Sequence, residues 1–317
     1  MLMIELEHTT KLYQTVIGVN DVTLKLEPGI YGLLGPNGSG KTTLINLILG
    51  QIKPTIGSVR LFGQNPWRRS GLLRRVGLCP AIELNYYRVT ALEWVSYLTQ
   101  LHGFSLAGST RRAIQALELV KLEQDMRRPM REYSLGMRQR AKIAQAIAHD
   151  PDLLILDEPF NGLDPVGRFE MTEFLRNWCQ NGKSLILASH ILYEVESVQP
   201  SFLLISGGRL LASGSPDEVR QFLADSPFTM SIHTNNAKLL ARLLIEKCDI
   251  ESLSFRSDHC LTISSRAVGD VYGCLPGLIM DHGLEVNEIS SSDDSLKSLF
   301  STLLKLHRGE TMHGVNS

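Results

Sequence analysis

The stretch whose chemistry is clearest is Leu33–Ile45, which reads LLGPNGSGKTTLI. Within it, Gly35–Thr42 fits the spacing G-x-x-x-x-G-K-[S/T] and follows an apolar segment that is predicted to be a strand. The glycines let the backbone curl so that successive N–H groups point at one anion, and the helix that follows adds the positive end of its dipole. Lys41 can reach terminal phosphates and the Thr42 hydroxyl can ligate Mg²⁺, so the stretch predicts a phosphate-binding loop.

Two adjacent carboxylates form the second candidate site. Asp157 and Glu158 end the apolar segment LLILDEP. An Asp-Glu pair at a strand end can also serve only as a helix cap, but a phosphate loop upstream favours a catalytic role. We expect Asp157 to hold Mg²⁺ directly or through water, and Glu158 to orient and deprotonate an attacking water.

The elements around these residues indicate an α/β domain. Residues 1 to about 60 alternate in the manner of β-strands, and a helix is predicted from Lys41 to about Leu49. The pattern is helical from about Thr90 to Ala148. Strands return at LLILDEP and SLILASH with a helix between them, which is a βαβ unit and implies parallel strands covered by helices.

A second, smaller pattern follows the segment SPDEVRQFLADSP. We predict strands at about 228–233, 250–255, 260–265 and 283–289 and helices at 236–246 and 268–279. The order βαββαβ is typical of a ferredoxin-like α+β domain. The expected domains are 1–224, with a helical subdomain at about 85–148, then 225–307, ending in an amphipathic helix, and a flexible tail at 308–317.

Composition limits the class of protein. The chain has 317 residues and a net charge of -1, which gives no support for nonspecific nucleic-acid binding. Its five cysteines lack CxxC spacing, as expected for a protein of a reducing cytosol. No apolar run reaches the roughly 20 residues that span a bilayer, and the N-terminus lacks the basic region of a signal peptide. We therefore expect a cytoplasmic protein with any membrane role exerted through a partner.

Four segments in order carry a family resemblance: GPNGSGKTT, YSLGMRQR, LLILDEPFNGLDP and ASH. Over about residues 3–220 the chain resembles the ATP-binding subunit of an ABC transporter. The resemblance implies a P-loop NTPase fold, ATP and Mg²⁺ as cofactors, and ATP hydrolysis that energises a separate membrane permease. The C-terminal unit is similar to that of exporter-type subunits, so export is the expected direction, with the protein peripheral on the inner face of the cell membrane.

The resemblance also implies roles for single residues. Tyr13 matches the aromatic that stacks on adenine, His190 the histidine that contacts the γ-phosphate, and Asp164 lies in the D-loop NGLDP. Ser134 and Gly136 lie in the signature segment, which in the family caps the ATP of a second subunit; with one set of motifs, the chain is expected to pair with itself or a close relative. Lys41, Glu158 and His190 are the expected catalytic residues. The expected nucleotide contacts in the phosphate loop are Gly35, Pro36, Asn37, Gly38, Ser39, Gly40, Lys41, Thr42 and Thr43.

Two departures from the family pattern bear on activity. The signature reads YSLGM in place of LSGGQ, and Ala81 stands where the family has a glutamine that touches Mg²⁺ and the attacking water. Glu83 is a candidate substitute. We hypothesise that hydrolysis survives; the alternatives are a regulatory cassette with impaired hydrolysis and a soluble ABC ATPase without a transport role.

Three further groups of residues have two interpretations each. Tyr86, Tyr87 and Trp94 could line a groove for the permease or belong to the core. The basic cluster Trp67–Arg75 is either a solvated face or a contact for lipid or nucleic acid. A metal site at His259, Cys260 and His282 would lack the short spacing of ligand pairs, which favours a chance arrangement.

Overall fold

The computed structural model describes residues 2–82, 88–180, 182–198, 201–214, 228–265 and 267–291. The chain forms two compact units, Met1–Ser215 and Pro216–Ser317. Glu83, Tyr86, Tyr87, the predicted amphipathic helix and the tail at 308–317 lie outside the described residues. In the described part of the chain, no helix is long and apolar enough to cross a bilayer.

A six-stranded sheet forms the centre of the first unit, with the strand order β5-β6-β7-β3-β8-β9. Its strands are β3 (Ile30–Leu34), β5 (Val76–Cys79), β6 (Leu153–Asp157), β7 (Ser184–Ser189), β8 (Ser201–Ser206) and β9 (Arg209–Gly214). All neighbours pair in parallel except β8 and β9, which form an antiparallel hairpin. Every residue of β6 and β7 is buried, as expected for strands covered on both faces.

A second sheet of three antiparallel strands has the order β2-β1-β4. These are β1 (Ile4–Tyr13), β2 (Val16–Leu26) and β4 (Ile56–Leu61). The helix α1 (Lys41–Ile48) contributes Leu44, Ile45 and Leu47 to one apolar core that both sheets share. This packing fixes the start of α1 at the carboxyl end of β3, where ligands bind in parallel α/β sheets.

Three helices, α2 (Ala91–Leu101), α3 (Leu106–Leu119) and α4 (Leu135–Ile147), pack on one another. Each begins at a hydroxyl residue whose side chain accepts a backbone N–H: Thr90, Ser105 and Ser134. Thr90 and Glu93 form a complete capping box. The unit is completed by α5 (Pro165–Gln180), which joins β6 to β7, and by the short helix α6 (Leu192–Glu196).

The second unit has the predicted order βαββαβ and a fully antiparallel sheet, β11-β12-β10-β13, which is the ferredoxin-like arrangement. Its elements are β10 (Phe228–Thr234), α7 (Ala237–Lys247), β11 (Ser252–Ser257), β12 (Cys260–Ser265), α8 (Val268–His282) and β13 (Val286–Ser291). The predicted bounds of β11 and β13 were two or three residues early. Pairing of Ser257 with Cys260 sets the end of β11, and α8 runs on until Gly283 adopts a left-handed conformation.

Candidate functional site

The phosphate loop leads directly from β3 into α1. Gly40, the last loop residue, has φ +108, and a Cβ there would lie 2.4 Å from the Gly18 carbonyl oxygen, so only glycine fits. The Ser39 Oγ is buried without a partner among the described residues. Lys41 Nζ donates to the Gly35 carbonyl at 2.6 Å. The loop therefore holds a buried ammonium and an orphan hydroxyl, as a site for an anionic ligand would.

Thr42 and Asp157 meet at the start of α1 and the end of β6. The Thr42 hydroxyl donates to Asp157 Oδ2 at 3.0 Å. Asp157 is only 4% exposed, and burial raises the pKa of its carboxyl, with the hydrogen bond from Thr42 acting against this rise. Two oxygen atoms 3.0 Å apart, one of them from a buried carboxylate, are suitable ligands for Mg²⁺.

Glu158 leaves the strand with φ +53, which is unusual for a residue other than glycine. Its Oε1 accepts from the His190 backbone N–H at 3.1 Å and lies 2.9 Å from His190 Nδ1. Lys41 Nζ is 3.9 Å from the same oxygen. Lys41, Thr42, Asp157, Glu158 and His190 thus converge on one site from three parallel strands, although the chain separates them by up to 149 positions.

Sequence reasoning missed a second layer of polar residues behind Glu158. Ser189 Oγ lies 3.4 Å from Glu158 Oε2 and donates to Glu194 Oε2 at 2.7 Å. Arg168 donates to the other Glu194 oxygen at 2.9 Å and, through Nε, to the Leu163 carbonyl at 3.2 Å. Burial raises the pKa of Glu194, while Ser189 and Arg168 act in the opposite direction. A buried glutamate four residues after His190 carries no local signal that would distinguish it from a surface helix residue.

Tyr13 lies beside the first turn of α1. A Cβ on Gly18 would be 2.8 Å from Tyr13 Cε2 and 3.0 Å from Thr43 Cγ2, so both side chains border the same point. The tyrosine is 42% exposed, and the Lys11 ammonium lies 5.3 Å from its ring centroid. An exposed aromatic face next to a phosphate loop suits the stacking of a base.

Ser134 and Gly136 occupy the start of α4. Ser134 Oγ accepts from the Met137 N–H at 3.2 Å and caps the helix. A Cβ on Gly136 would lie 2.9 Å from the Gly162 carbonyl oxygen, so a glycine allows α4 to approach the NGLDP turn. No hydrogen bond joins Ser134 or Gly136 to the phosphate loop among the residues that the structure describes.

Asp164 follows in the same turn. Its Oδ1 accepts from the Gly167 N–H at 2.7 Å, so within this chain the side chain caps α5. The structure packs Gly136 against Gly162 and Leu163, in the turn that carries Asp164.

The segment after β5 carries Ala81, which is exposed and has no polar side-chain atom. Trp94 on α2 is half-buried, whereas Tyr97 and Leu101, one and two turns further on, are 60% and 64% exposed. These two apolar residues were not singled out from the sequence. Among the described residues, no cluster of three His, Cys, Asp or Glu side chains could hold a metal, and this includes His259, Cys260 and His282.

Comparison with known proteins gives a consistent result. The family described as "ABC transporter" matches residues 19–161. The bacitracin transport ATP-binding protein BcrA of Enterococcus faecalis is 34% identical over 308 residues, which cover 95% of this chain and 96% of that protein. The Nod factor export ATP-binding protein I of Cupriavidus pinatubonensis is 37% identical over 219 residues, which cover 68% and 67% of the two chains.

A solved structure of an ATP-binding subunit of an ABC transporter superposes with a TM-score of 0.63 at 29% identity. It covers 69% of this chain and 93% of that one. The phosphate loop and the Asp157-Glu158 pair lie within the residues that the family model matches. The chain belongs to the ABC transporter family, as one of its ATP-binding subunits.

Proposed function

We propose that this ATP-binding subunit hydrolyses ATP in a Mg²⁺-dependent reaction and thereby energises export by a separate membrane permease. The observation that carries the proposal is the convergence of Lys41, Thr42, Asp157, Glu158 and His190 on one site. Each of these residues has the chemistry that phosphoryl transfer to water needs.

Binding of the nucleotide uses the loop and Tyr13. The backbone N–H groups of Gly38 and Gly40, the orphan Ser39 hydroxyl and the start of α1 supply donors for the phosphates. Lys41, now held by the Gly35 carbonyl, can exchange this partner for a phosphate oxygen. Tyr13 and Thr43 border the place where the base and sugar would lie.

Thr42 and Asp157 would hold Mg²⁺, because both offer oxygen ligands from positions that are already 3.0 Å apart. When bound, Mg²⁺ neutralises charge on the phosphates. Asp157 is buried at the end of β6, so its carboxylate is held in place by the rigid sheet rather than by a mobile loop.

Hydrolysis follows from the position of Glu158. Its carboxylate accepts a proton from the attacking water, the water oxygen bonds to the γ-phosphorus, and the bond to the bridging oxygen breaks to give ADP and phosphate. The His190 backbone and ring hold Glu158 Oε1 from one side. The same oxygen lies 3.9 Å from Lys41 Nζ, which places the carboxylate next to the phosphate loop.

Two partners complete the proposed assembly. Ser134 and Gly136 are positioned at an exposed helix start, where they would cap the ATP of a second cassette. Tyr97 and Leu101 form an exposed apolar face of α2 that suits a helix of a permease. The subunit would then lie on the inner face of the membrane, and the full-length similarity to a bacitracin transport protein supports an exporter in which the second unit is a shared accessory module.

Replacing Glu158 by Gln tests the proposed chemistry. We expect phosphate release by the purified protein with Mg²⁺-ATP to fall at least about 100-fold, because an amide cannot accept the proton. ATP binding should persist, since the loop is untouched. Glu118→Gln on the exposed face of α3 is the matched control and should release phosphate at the wild-type rate. Equal rates for wild type and Glu158→Gln would overturn the assignment of the base, and loss of Mg²⁺ with EDTA should stop release in all variants.

Ala81 favours a second candidate function, a regulatory cassette that binds ATP without turning it over. The absence of a polar atom at this position removes one contact to the attacking water that the family pattern supplies. The same assay separates the two functions, because wild-type protein that binds ATP and releases no phosphate, alone and in membranes containing its permease, is regulatory.

A further inference from the structure

A buried lysine holds the segment that carries Ala81. Lys142 on α4 is 3% exposed, and its Nζ donates to the Pro80 carbonyl at 2.8 Å and to the Ile82 carbonyl at 3.2 Å. No carboxylate oxygen lies within 4.0 Å of this ammonium among the described residues. The ammonium is therefore hydrogen-bonded to two carbonyls on either side of Ala81, and the Asp157 carboxylate acts on its charge from a greater distance.

Burying an ammonium is costly unless hydrogen bonds compensate, so the contact is specific rather than incidental. Two further side chains on the same face of α4, three residues away in each direction, reach nearby atoms. Gln145 Nε2 donates to the Leu78 carbonyl at 2.6 Å, and Gln139 Nε2 lies 3.5 Å from the Glu158 carbonyl oxygen. The polar side chains on this face of α4 therefore contact β5, the turn after it and the backbone of Glu158.

The lysine joins two parts that the proposed function requires to act together. The helix α4 begins at Ser134, which would cap the ATP of a second cassette, and the turn at 80–82 lies at the carboxyl end of β5, next to the strand that ends in Asp157. The methyl side chain of Ala81 cannot form a hydrogen bond to the site. The turn is instead joined to α4 through the carbonyls of Pro80 and Ile82, which both accept hydrogen bonds from Lys142.

We propose that Lys142 is a positioning residue for ATP hydrolysis, which fastens the turn at 80–82 to α4 so that the two move as one body. This inference rests on the proposed function. In this proposal the hydrogen bonds from Lys142 to the backbone of the turn couple the turn to α4, a role that a polar side chain at position 81 would otherwise have. Lys142 donates to the carbonyls of the turn and is not among the proposed nucleotide contacts, so its effect should fall on turnover rather than on ATP binding.

The test compares Lys142→Met with Lys142→Arg and Gln145→Leu in the full-length protein. Lys142→Met keeps most of the side-chain length and removes both hydrogen bonds, Lys142→Arg keeps the donors, and Gln145→Leu removes an α4–β5 hydrogen bond without touching the turn. We expect Lys142→Met to lower kcat about tenfold with the KM for ATP changed less than about twofold. Lys142→Arg should recover most of kcat, and Gln145→Leu should stay near the wild type.

Amide hydrogen exchange gives a readout that a general loss of stability would not reproduce. Exchange at Ala81 and Ile82 should quicken in Lys142→Met and not in Gln145→Leu, at a temperature where thermal unfolding shows all variants folded. Wild-type kcat and exchange in folded Lys142→Met would overturn the proposal, as would equal losses in Lys142→Met and Gln145→Leu. If Lys142→Met does not fold, Lys142→Gln, whose amide can reach one carbonyl, carries the same comparison.

The outcome is separable from that of the proposed function. Wild type and Glu158→Gln decide whether the protein is an ATPase. If the wild type releases no phosphate, the proposed function fails on that comparison, while hydrogen exchange with and without ATP still reports whether Lys142 fastens the turn.

Discussion

The carboxylate of Glu158 is held by more groups than a general base alone would need. His190 contacts one carboxylate oxygen and the Ser189 hydroxyl lies near the other. The same hydroxyl donates a hydrogen bond to the buried Glu194. Glu194 is bound in turn by Arg168, which also holds the carbonyl of Leu163 in the NGLDP turn. A continuous polar chain thus runs from the proposed base to the turn that packs against the signature helix, and it fixes the orientation of the base.

Ala81 supplies a prediction at the scale of one residue. Replacing Ala81 with Gln should leave turnover unchanged or raise it, by up to about tenfold, because the new amide can contact the attacking water. Phosphate release from Ala81→Gln and wild type is the measurement. The double variant Ala81→Gln/Glu158→Gln is the control and should be inactive, because it lacks the proposed proton acceptor and the new amide cannot take its place. A large loss of activity in the single variant would contradict the view that the wild-type turn lacks only a favourable contact.

The parts of the proposed site that could be predicted from the sequence are those with a local sequence pattern. The glycines of the loop, the buried strand before it and the carboxylates that end β6 each follow from short patterns, and parallel strands bring their carboxyl ends together. Lys142 and Glu194 could not be predicted in this way, because a charged residue in a helix is usually solvated. Their burial is decided by what packs on the helix from distant parts of the chain.

At the scale of elements, the end of α4 is joined to the end of α2 by two stacked histidines. The rings of His102 and His149 have centroids 3.7 Å apart and are inclined by 13°. His149 Nε2 lies 3.0 Å from the Val76 carbonyl oxygen, and its Nδ1 is buried without a partner among the described residues. Burial, and then the neighbouring His102, lower the pKa of His149 to about 4.

This histidine predicts a loss of stability in acid. Because its pKa in the folded state lies below the ordinary value of 6.5, the unfolded chain binds the proton more readily. Stability is therefore complete above the unfolded pKa and falls as the pH drops from about 6.5 toward 4. The contribution of His149 at about pH 5 is a loss of roughly 2 kcal/mol in the free energy of unfolding.

Urea unfolding at about pH 7 and about pH 5 measures this effect. The variant His149→Phe should show a smaller difference between the two pH values than the wild type, even if it is less stable at both. His233→Gln, at an exposed histidine of β10, is the matched control and should keep the wild-type difference. An unchanged pH dependence in His149→Phe would show that the titrating group lies elsewhere.

Element boundaries in the second unit show where sequence patterns lose precision. The order βαββαβ was predicted correctly, because alternation and helical periodicity differ over whole segments. The bounds of β11 were not, because alternation continues through the residues on either side of the strand. Pairing with β12, which ends in the turn between Ser257 and Cys260, selects the register.

At the scale of the whole molecule, the two groups of residues that the proposed ATP site needs lie on different elements of the chain. The cluster at Lys41 and Glu158 belongs to the central sheet, whereas Ser134 and Gly136 lie at the start of α4 against the NGLDP turn. A head-to-tail pair of chains would place the signature of each over the loop of the other. Association would then depend on ATP, and each complete site would need one residue set from each chain.

Mixing two inactive variants tests this arrangement. Glu158→Gln disables the hydrolytic half of a chain, and Ser134→Arg places a bulky cation at the cap of its signature half; each variant alone should lose at least about tenfold in phosphate release. In a mixed head-to-tail dimer, one site contains both changes and the other contains neither. A one-to-one mixture should therefore recover about a quarter of wild-type activity, because random pairing makes half of the dimers mixed and each has one intact site. If every site were built within a single chain, no mixture would contain an intact one, so absence of recovery between variants that fold and bind ATP would exclude the paired arrangement.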